Sequence, residues 1–173
     1  MLRLATLCVL LALPLAAQAI DMRTLTAPDG TTVDLVRDEY GVPRIYATTE
    51  VGAFYAQGWA VAQDRLFQME TFWRTGTGRL AEIQGSAALS TDQGIRTVYY
   101  TPEERAEQFA ALPVEIQTML DAYIAGINAY IDLAEADPAT YKPYEYTQFP
   151  LNTMPITRWD RDKAVATDRK SVV

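Results

Sequence analysis

The chain has 173 residues and a formal net charge of −7, with 22 acidic and 15 basic residues, one cysteine and no histidine. The acidic excess argues against a nucleic-acid partner, because phosphate binding needs clustered Lys and Arg. The lack of histidine excludes a histidine base, and with a single cysteine it also excludes the usual nitrogen and sulfur ligands of zinc. If the protein is a hydrolase, its base and nucleophile must come from another source.

The first 19 residues have the three parts of a secretory signal peptide. Arg3 forms the positive region, residues 7–15 form the apolar region, and Ala17-Gln18-Ala19 forms the cleavage site. Cleavage before Ile20 removes the only cysteine, Cys8. The apolar run is shorter than the roughly 20 residues of a membrane span. We therefore expect a protein without a membrane span that is secreted, and periplasmic if the host is Gram-negative.

Short strands are predicted directly after the signal peptide. Pro28-Asp29-Gly30 is a turn, and residues 31–37 alternate with Val33 and Leu35 on one face, which is typical of a hairpin. A second turn at residues 39–41 leads into a strand over residues 44–47. Because an isolated hairpin is marginal in water, these strands are expected to pair with strands supplied elsewhere.

Helical periodicity starts at Thr49 and returns three times along the chain. Thr48 or Thr49 is the expected cap of a long helix that is buried on most of its circumference and that Gly76 and Gly78 end. The later helices are expected at residues 79–83, from the Thr101-Pro102-Glu103-Glu104 capping box to about Ala111, and from Pro113 to Asp137.

The remaining segments have weak patterns. Residues 86–100 are interpreted as a connector and residues 141–155 as an aromatic, proline-rich loop. A helix is expected after Trp159, but the residues there are highly charged and end without a cap in the run 168–173. We interpret this end as a truncation.

Asp38 and Glu39 are adjacent carboxylates, and such a pair could in principle act as a catalytic acid and base. Neighbouring residues of a strand point to opposite faces, so two such groups rarely converge on one substrate atom. Carboxylates in turns more often accept backbone N–H groups. The structural interpretation is favoured.

A set of polar residues interrupts the long apolar helix. Asp64 is the charged member, and Arg37, Arg65 and Arg79 are its candidate partners. The other members are Gln57, Gln63 and Gln68. Unpaired burial of such groups costs about 1–3 kcal/mol each, so a polar network that holds the helix to its neighbours is favoured over a catalytic role.

Two further features have a functional and a structural interpretation. The aromatic group Tyr141, Tyr144, Tyr146 and Phe149 could bind a sugar, but packing against another chain or over an irregular segment is commoner. Gly76-Thr77-Gly78 lacks the following Lys and the preceding strand of a phosphate loop. Neither is assigned to a site.

Two blocks of sequence resemble the penicillin acylase family. They are Arg37-Asp38-Glu39-Tyr40-Gly41-Val42-Pro43 and Ala62-Gln63-Asp64-Arg65-Leu66-Phe67-Gln68-Met69-Glu70. The resemblance is strongest over residues 36–85 and fades between Pro150 and Trp159. Arg44 stands where relatives often have His, and residues 164–173 are less regular than the apolar helix that is usual in the family.

The resemblance implies that residues 20–173 of this chain are an incomplete α-subunit portion, and that the whole protein is an N-terminal-nucleophile amidohydrolase. Its fold would be α+β, mostly α-helical with a small N-terminal β element, within a four-layer αββα enzyme. In such proteins an exported zymogen cuts itself, and the serine that begins the β chain attacks the amide with its own α-amino group as base. No residue of this chain is therefore assigned as catalytic, cofactor-binding or metal-binding.

The same resemblance implies the partners. These are a β chain from the same precursor and a small acyl-amide substrate, either a β-lactam side chain or an N-acyl homoserine lactone. Calcium is expected only in the complete enzyme, and the acyl pocket begins about where this sequence ends. The alternative is a stand-alone periplasmic binding module, which would be a cooperatively folded monomer, whereas a fragment with unpartnered apolar faces would aggregate.

Overall fold

The computed structural model describes residues 21–167. In this part of the chain three strands precede a series of helices. The predicted signal peptide at residues 1–19, its cleavage point before Ile20 and the charged run 168–173 lie outside the described residues. No helix within residues 21–167 is long and apolar enough to cross a membrane.

The three strands form an antiparallel sheet in chain order, as the sequence predicts. They are β1 (Asp21–Thr26), β2 (Thr32–Arg37) and β3 (Pro43–Tyr46). Val33 and Leu35 of β2 face the helices and are almost fully buried. Gly30 and Gly41 adopt φ values of 82° and 76° in the two connecting turns, a conformation that favours glycine.

The helical part contains two long helices and several short ones. The α-helices are α1 (Glu50–Gly76), α2 (Ala81–Gln84), α3 (Leu89–Val98), α4 (Pro102–Ala110), α5 (Val114–Ala136), α6 (Pro138–Tyr141) and α7 (Arg161–Ala166), with 3₁₀ turns at Gly85–Ala88, Tyr144–Thr147 and Leu151–Thr153.

Helix α1 begins and ends at the predicted residues. The Thr49 hydroxyl accepts a hydrogen bond from the Gly52 N–H at 3.0 Å, which confirms the cap. The helix ends at Gly76, and Gly78 follows with φ of 64°. Arg65 departs from helical geometry, with φ of −139° and ψ of 16°, so the helix is kinked near its middle. The periodicity does not predict this kink.

The other predicted helices are confirmed, but the prediction of a connector at residues 86–100 was wrong. The capping box at Thr101 and Glu104 opens α4, and α5 follows Pro113. Residues 86–100, interpreted as a connector, instead form a 3₁₀ turn and the ten-residue helix α3. This helix is mostly exposed, so it lacks the apolar stripe from which helices are predicted.

The segment after α5 also differs from its predicted form. Residues 141–155 contain two 3₁₀ turns, so the predicted loop is only partly irregular. Helix α7 follows Trp159 as expected, and the Asp160 carboxylate accepts the Lys163 N–H at 2.9 Å as its cap. It is a short helix of six residues.

The core lies between α1 and α5, and two glycines let these helices approach closely. A Cβ atom at Gly58 would overlap the carbonyl oxygen of Tyr123, and one at Gly126 would overlap that of Tyr55. Each helix therefore contributes one glycine at the point where it meets the other. Trp59 packs edge-on against Tyr130 beside this contact, with ring centroids 5.3 Å apart.

Helix α1 is covered on most sides, and its exposed residues are few. Trp59, Leu66 and Trp73 are buried on the α5 side. Phe72 on another side is 47% exposed, and Gln57 and Gln68 are exposed as well. Only six of the 27 residues of α1 are exposed, so the expectation that this helix is buried on most of its circumference is confirmed.

We predict that Gly126→Ala is severely destabilising in the natural full-length protein. The added methyl group would force α5 away from the α1 backbone, and overpacking of this kind costs roughly 3 kcal/mol or more where backbone must move. The control is Gly94→Ala in α3, where a Cβ meets nothing within 4 Å. This control should raise the free energy of unfolding by about 0.5–1 kcal/mol. Urea unfolding that shows equal stability for both variants would contradict the predicted close contact.

Candidate functional site

The most highly connected polar cluster joins the end of β2 to the middle of α1. The Arg37 guanidinium donates to both carboxylate oxygens of Asp64, at 2.8 and 3.2 Å. It also donates to the side-chain oxygen of Gln63 at 2.5 and 3.1 Å and to the Gly41 carbonyl at 2.7 Å. One arginine therefore holds the strand, the second turn and the helix together next to the kink at Arg65.

The predicted polar network is confirmed only in part. Asp64 pairs with Arg37, one of its three candidate partners. Arg79 instead pairs with Glu82 at 2.6 Å. Gln57 and Gln68 are exposed to solvent and join no hydrogen bond among the described residues, because the face of α1 that they occupy is not covered.

Asp38 has a structural role in the second turn, as the sequence favours. Its carboxylate accepts the backbone N–H groups of Tyr40 and Val42, both at 3.0 Å, and a hydrogen bond from Arg44 at 3.0 Å. Partial burial raises its pKa, but these hydrogen bonds outweigh that effect and leave the pKa below its ordinary value. Glu39 is exposed and does not share this environment. The two carboxylates are therefore not an acid and base pair.

Glu70 and Arg74 form a buried ion pair that was not predicted from the sequence. Both side chains are 2% exposed, and the guanidinium lies 2.7 Å from the Glu70 carboxylate. Thr157 donates to the same carboxylate at 2.9 Å, Tyr146 lies 3.5 Å from it, and Arg74 also pairs with Glu82. Breaking such a pair leaves an uncompensated charge, which costs about 3–5 kcal/mol. The i, i+4 spacing of Glu and Arg was the signal available in the sequence.

The aromatic group divides between the core and the surface. Tyr146 is almost fully buried, and burial together with the neighbouring Glu70 raises the pKa of its hydroxyl strongly. Tyr141 accepts a hydrogen bond from Arg23 at 3.2 Å. Tyr144 and Phe149 are 74% and 81% exposed. The four rings therefore do not form one sugar-binding platform.

A cleft of about 380 Å³ lies at the C-terminal end of α1. Its wall combines aromatic and cationic side chains from α1, α3, α4 and α7. The lining residues are Trp73, Gly76, Thr77, Arg79, Ile95, Arg96, Tyr99, Tyr100, Thr101, Pro102, Arg105, Asp162 and Lys163.

The cations of this cleft are already engaged within the protein. Arg105 pairs with Asp162 at 2.6 Å, Lys163 pairs with Asp160 at 2.5 Å, and Arg96 donates to the Gly78 carbonyl at 2.8 Å. Gly76-Thr77-Gly78 is the end of α1 and follows a helix, not a strand, so it is not a phosphate loop. Arg105 and Lys163 are therefore ion-paired, whereas the exposed Arg96 donates to a carbonyl and has no acidic partner among the described residues.

The described residues hold no group of three or more acidic side chains that could bind a metal ion. This finding covers residues 21–167, which also lack histidine and cysteine.

The acidic residues of these clusters have partners within the described part of the chain. Each partly buried acid described above accepts hydrogen bonds or pairs with arginine. A nucleophile next to an unoccupied base, the requirement for covalent catalysis, is not formed by the residues of these clusters.

Comparison with known proteins identifies the family. Residues 32–169 match the sequence profile described as penicillin amidase. This match covers most of the chain and includes both blocks that resemble penicillin acylases. The chain belongs to the penicillin amidase family. The family resemblance inferred from residues 37–43 and 62–70 is therefore confirmed.

Curated relatives of this penicillin amidase family chain are much longer than the chain itself. It is 41% identical to penicillin G acylase of Escherichia coli over 125 residues, which is 72% of the chain and 15% of that protein. It is 38% identical to penicillin acylase 2 proenzyme of Pseudomonas sp. strain SE83, over 86% of the chain and 18% of the relative. Acyl-homoserine lactone acylase QuiP of Pseudomonas aeruginosa is 34% identical, over 64% of the chain and 14% of the relative.

A solved structure of the family has a similar fold. Thermostable penicillin G acylase from Alcaligenes faecalis superimposes with a TM-score of 0.68 at 29% identity. The match covers 87% of this chain and 71% of the solved chain. The predicted class, mostly helical with a small N-terminal sheet, is thereby supported.

We predict that Asp64→Ala in the natural full-length protein lowers stability and the yield of folded protein. It removes the carboxylate that Arg37 binds, and because Asp64 is 40% exposed the loss should be about 1 kcal/mol. Gln57→Ala, at an exposed position of the same helix, should change neither property. Normal yield combined with lost turnover would instead indicate a chemical role for Asp64.

We predict that Glu82 stabilises the protein at neutral pH and not in acid. Burial raises its pKa, but hydrogen bonds from Arg79 and Arg74 outweigh burial, so the pKa lies below the ordinary 4.5. A lowered pKa contributes stability above pH 4.5 that disappears as pH falls through the folded-state pKa. The melting temperature of Glu82→Gln should therefore fall below wild type at neutral pH, and the gap should narrow in acid.

The matched control for this measurement is Glu107→Gln, since Glu107 is exposed on α4 and forms no ion pair within the described residues. Its melting temperature should follow that of wild type throughout. A gap for Glu82→Gln that widens as the pH falls would contradict the assigned sign.

Proposed function

We propose that the chain is the non-nucleophilic α-chain portion of a secreted hydrolase that acts on the carbon–nitrogen bond of linear amides. The observation that carries the proposal is the match to the penicillin amidase family over residues 32–169. Catalysis then belongs to a second chain that begins with serine.

In the proposed reaction the serine hydroxyl oxygen attacks the amide carbonyl carbon. Its proton moves to the α-amino group of the same serine, whose ordinary pKa of about 7.7–8.0 suits a base near neutral pH. Donors of an oxyanion site stabilise the tetrahedral intermediate. The carbon–nitrogen bond then breaks, the amine leaves with the proton, and water hydrolyses the acyl-enzyme to the free acid.

The proposed contribution of this chain is positional. Arg37 connects β2 to α1, and the Glu70–Arg74 pair connects α1 to the segment that contains Tyr146 and Thr157. These connections would hold α1 and the N-terminal sheet in fixed positions against the second chain. A scaffold of this kind affects catalysis by positioning its neighbour.

The lengths of the relatives support a processed precursor. The match to this chain covers 71% of the solved Alcaligenes faecalis chain, whereas the matches to the two curated acylases cover only 15% and 18% of those proteins. The solved chain is therefore a short polypeptide next to those proteins, one of which is named a proenzyme. We infer a β chain from the same precursor as the partner of this chain.

The substrate class follows from the chemistry that the relatives share. Penicillin G acylase and acyl-homoserine lactone acylase are named for substrates in which an acyl group is joined to nitrogen. We propose a small acyl amide of this type, a β-lactam side chain or an N-acyl homoserine lactone. The signal peptide predicted at residues 1–19 supports secretion, to the periplasm in a Gram-negative host, and calcium is proposed only for the part of the enzyme beyond this chain.

A stand-alone binding module is the second candidate. The exposed rings of Tyr144 and Phe149 favour it, since aromatic side chains on a surface often contact a partner. It predicts that residues 20–173 form a monodisperse monomer with one cooperative thermal transition. The acylase proposal instead predicts that this segment alone aggregates, which gel filtration and a thermal melt would distinguish.

The deciding experiment is to purify the natural full-length protein after export and to determine its chains by mass spectrometry. We expect two chains, the larger beginning with serine, and hydrolysis of an acylated amine such as phenylacetyl-p-nitroanilide. Replacing that serine by alanine should abolish hydrolysis.

The control is the segment 20–173 alone, which should release no product. Hydrolysis by this segment, or a single unprocessed chain that remains active after the serine replacement, would contradict the proposal.

A further inference from the structure

The two outer strands of the sheet differ in how their edges are protected. Strand β2 lies in the centre, so β1 and β3 each have one edge that no strand within residues 21–167 covers. Uncovered strand edges are templates for pairing, and proteins usually block them with proline, charge, bulges or short length.

Hydrogen bonds at the two turns determine which backbone groups point outward. The Ala27 N–H donates to the Thr31 carbonyl at 2.9 Å, and this pair continues the β1–β2 register. Because directly bonded pairs alternate along antiparallel strands, Arg23 and Leu25 direct their N–H and C=O groups to β2. Met22, Thr24 and Thr26 therefore direct theirs away from the sheet.

The outer edge of β3 is poorly suited to pairing with another strand. The Asp38 N–H donates to the Val42 carbonyl at 3.2 Å, in register with the β2–β3 pairs, so Arg44 and Tyr46 bond to β2. Pro43 and Ile45 point outward, and proline has no N–H to donate. The strand is also only four residues long.

Strand β1 lacks proline, a bulge and short length, and its charged residues are Asp21 at its start and Arg23. Its six residues include no proline or glycine, and its directly bonded pairs with β2 run in register from Asp21–Arg37 to Leu25–Val33. The charge of Arg23 lies under the sheet, 4.9 Å from the Trp59 ring centroid, and not on the edge. The outward N–H and C=O groups of Met22, Thr24 and Thr26 bond to no group in residues 21–167.

The side chains at this edge also suit contact with another element. Met22 is 60% exposed on the face opposite the helices. Its cross-strand neighbours are Val36 and then Arg44, while Thr24 lies beside Asp34 and Tyr46. An unprotected edge next to exposed apolar side chains is typical of a surface that is covered in the assembled protein.

We infer that the outer edge of β1 is extended by a strand from the part of the precursor beyond residue 173. The inference rests on the proposed function, which supplies the second chain. The chain spans only 15–18% of its curated penicillin acylase relatives, so most of the polypeptide is available to provide such a strand. The incoming strand would bond to the backbone of Met22, Thr24 and Thr26.

Hydrogen exchange resolved to single amides tests this pairing in the natural full-length protein purified after export. The amides of Arg23 and Leu25 bond to β2 and provide an internal reference. We expect the amides of Met22, Thr24 and Thr26 to be protected like the reference, at least roughly 100-fold slower than in an unfolded chain. Exchange of these three amides at the unfolded rate would overturn the inference.

Dilution identifies the strand that covers the edge. Pairing with the second chain of the same mature protein should persist through an about 50-fold dilution, whereas pairing with another copy should weaken by mass action. Protection that is lost on dilution would assign the edge to a second copy and overturn the inference.

Proline substitution adds a readout of assembly. Thr24→Pro removes an outward N–H, which an open edge tolerates and a paired edge does not. Thr24→Val is the matched control, because both variants lose the 2.7 Å hydrogen bond from Thr24 to Asp34 and only the proline variant loses the N–H. We expect at least a tenfold loss of two-chain product for Thr24→Pro and little change for Thr24→Val. Equal yields would overturn the inference.

Hydrolysis measured on the same sample separates this inference from the proposed function. Active two-chain protein with fast exchange at the β1 edge would refute the edge pairing and leave the function intact. An inactive single chain would refute the function, while the exchange rates would still report whether the edge is covered.

Discussion

The close contact between α1 and α5 is the constraint on which the rest of the structure depends. Gly58 and Gly126 bring each helix against a backbone carbonyl of the other, so neither position has room for a side chain. Such an approach allows Trp59 and Tyr130 to pack beside it. The sheet then lies against α1 through Leu35 and Val33, and α7 lies near its far end, where Gly76 meets the Ala166 carbonyl.

Charged residues have two distinct roles around this helix pair. The Glu70–Arg74 pair is buried and has further hydrogen bonds from Thr157 and a contact with Tyr146, which satisfy the carboxylate in a low-dielectric setting. The Arg37–Asp64 pair is partly exposed and contributes less free energy. Its importance lies in geometry, because one guanidinium joins a strand, a turn and a helix. Both pairs hold segments that are distant in sequence.

The acidic clusters described above are occupied by arginine side chains and backbone N–H groups, and these contacts hold neighbouring segments in place. The chain belongs to the penicillin amidase family. In the reaction proposed above, the nucleophilic serine of the second chain uses its own α-amino group as the base, so this chain would not need to supply one. The surfaces left uncovered in residues 21–167 then become informative. In the proposed assembly, a larger partner would complete the fold at the exposed Gln57 and Gln68 of α1 and at the β1 edge.

The sequence by itself determined the helices and strands with strong local signals and the family. Thr49, the Thr101 capping box and the alternation in β2 depend on residues close in the chain, so they could be recognised without coordinates. Only the tertiary structure decided that Asp64 selects Arg37, that Glu70 and Arg74 are buried, and that α3 forms where no apolar stripe predicts it. These outcomes depend on which distant segments cover a given residue, and local periodicity carries no information about that.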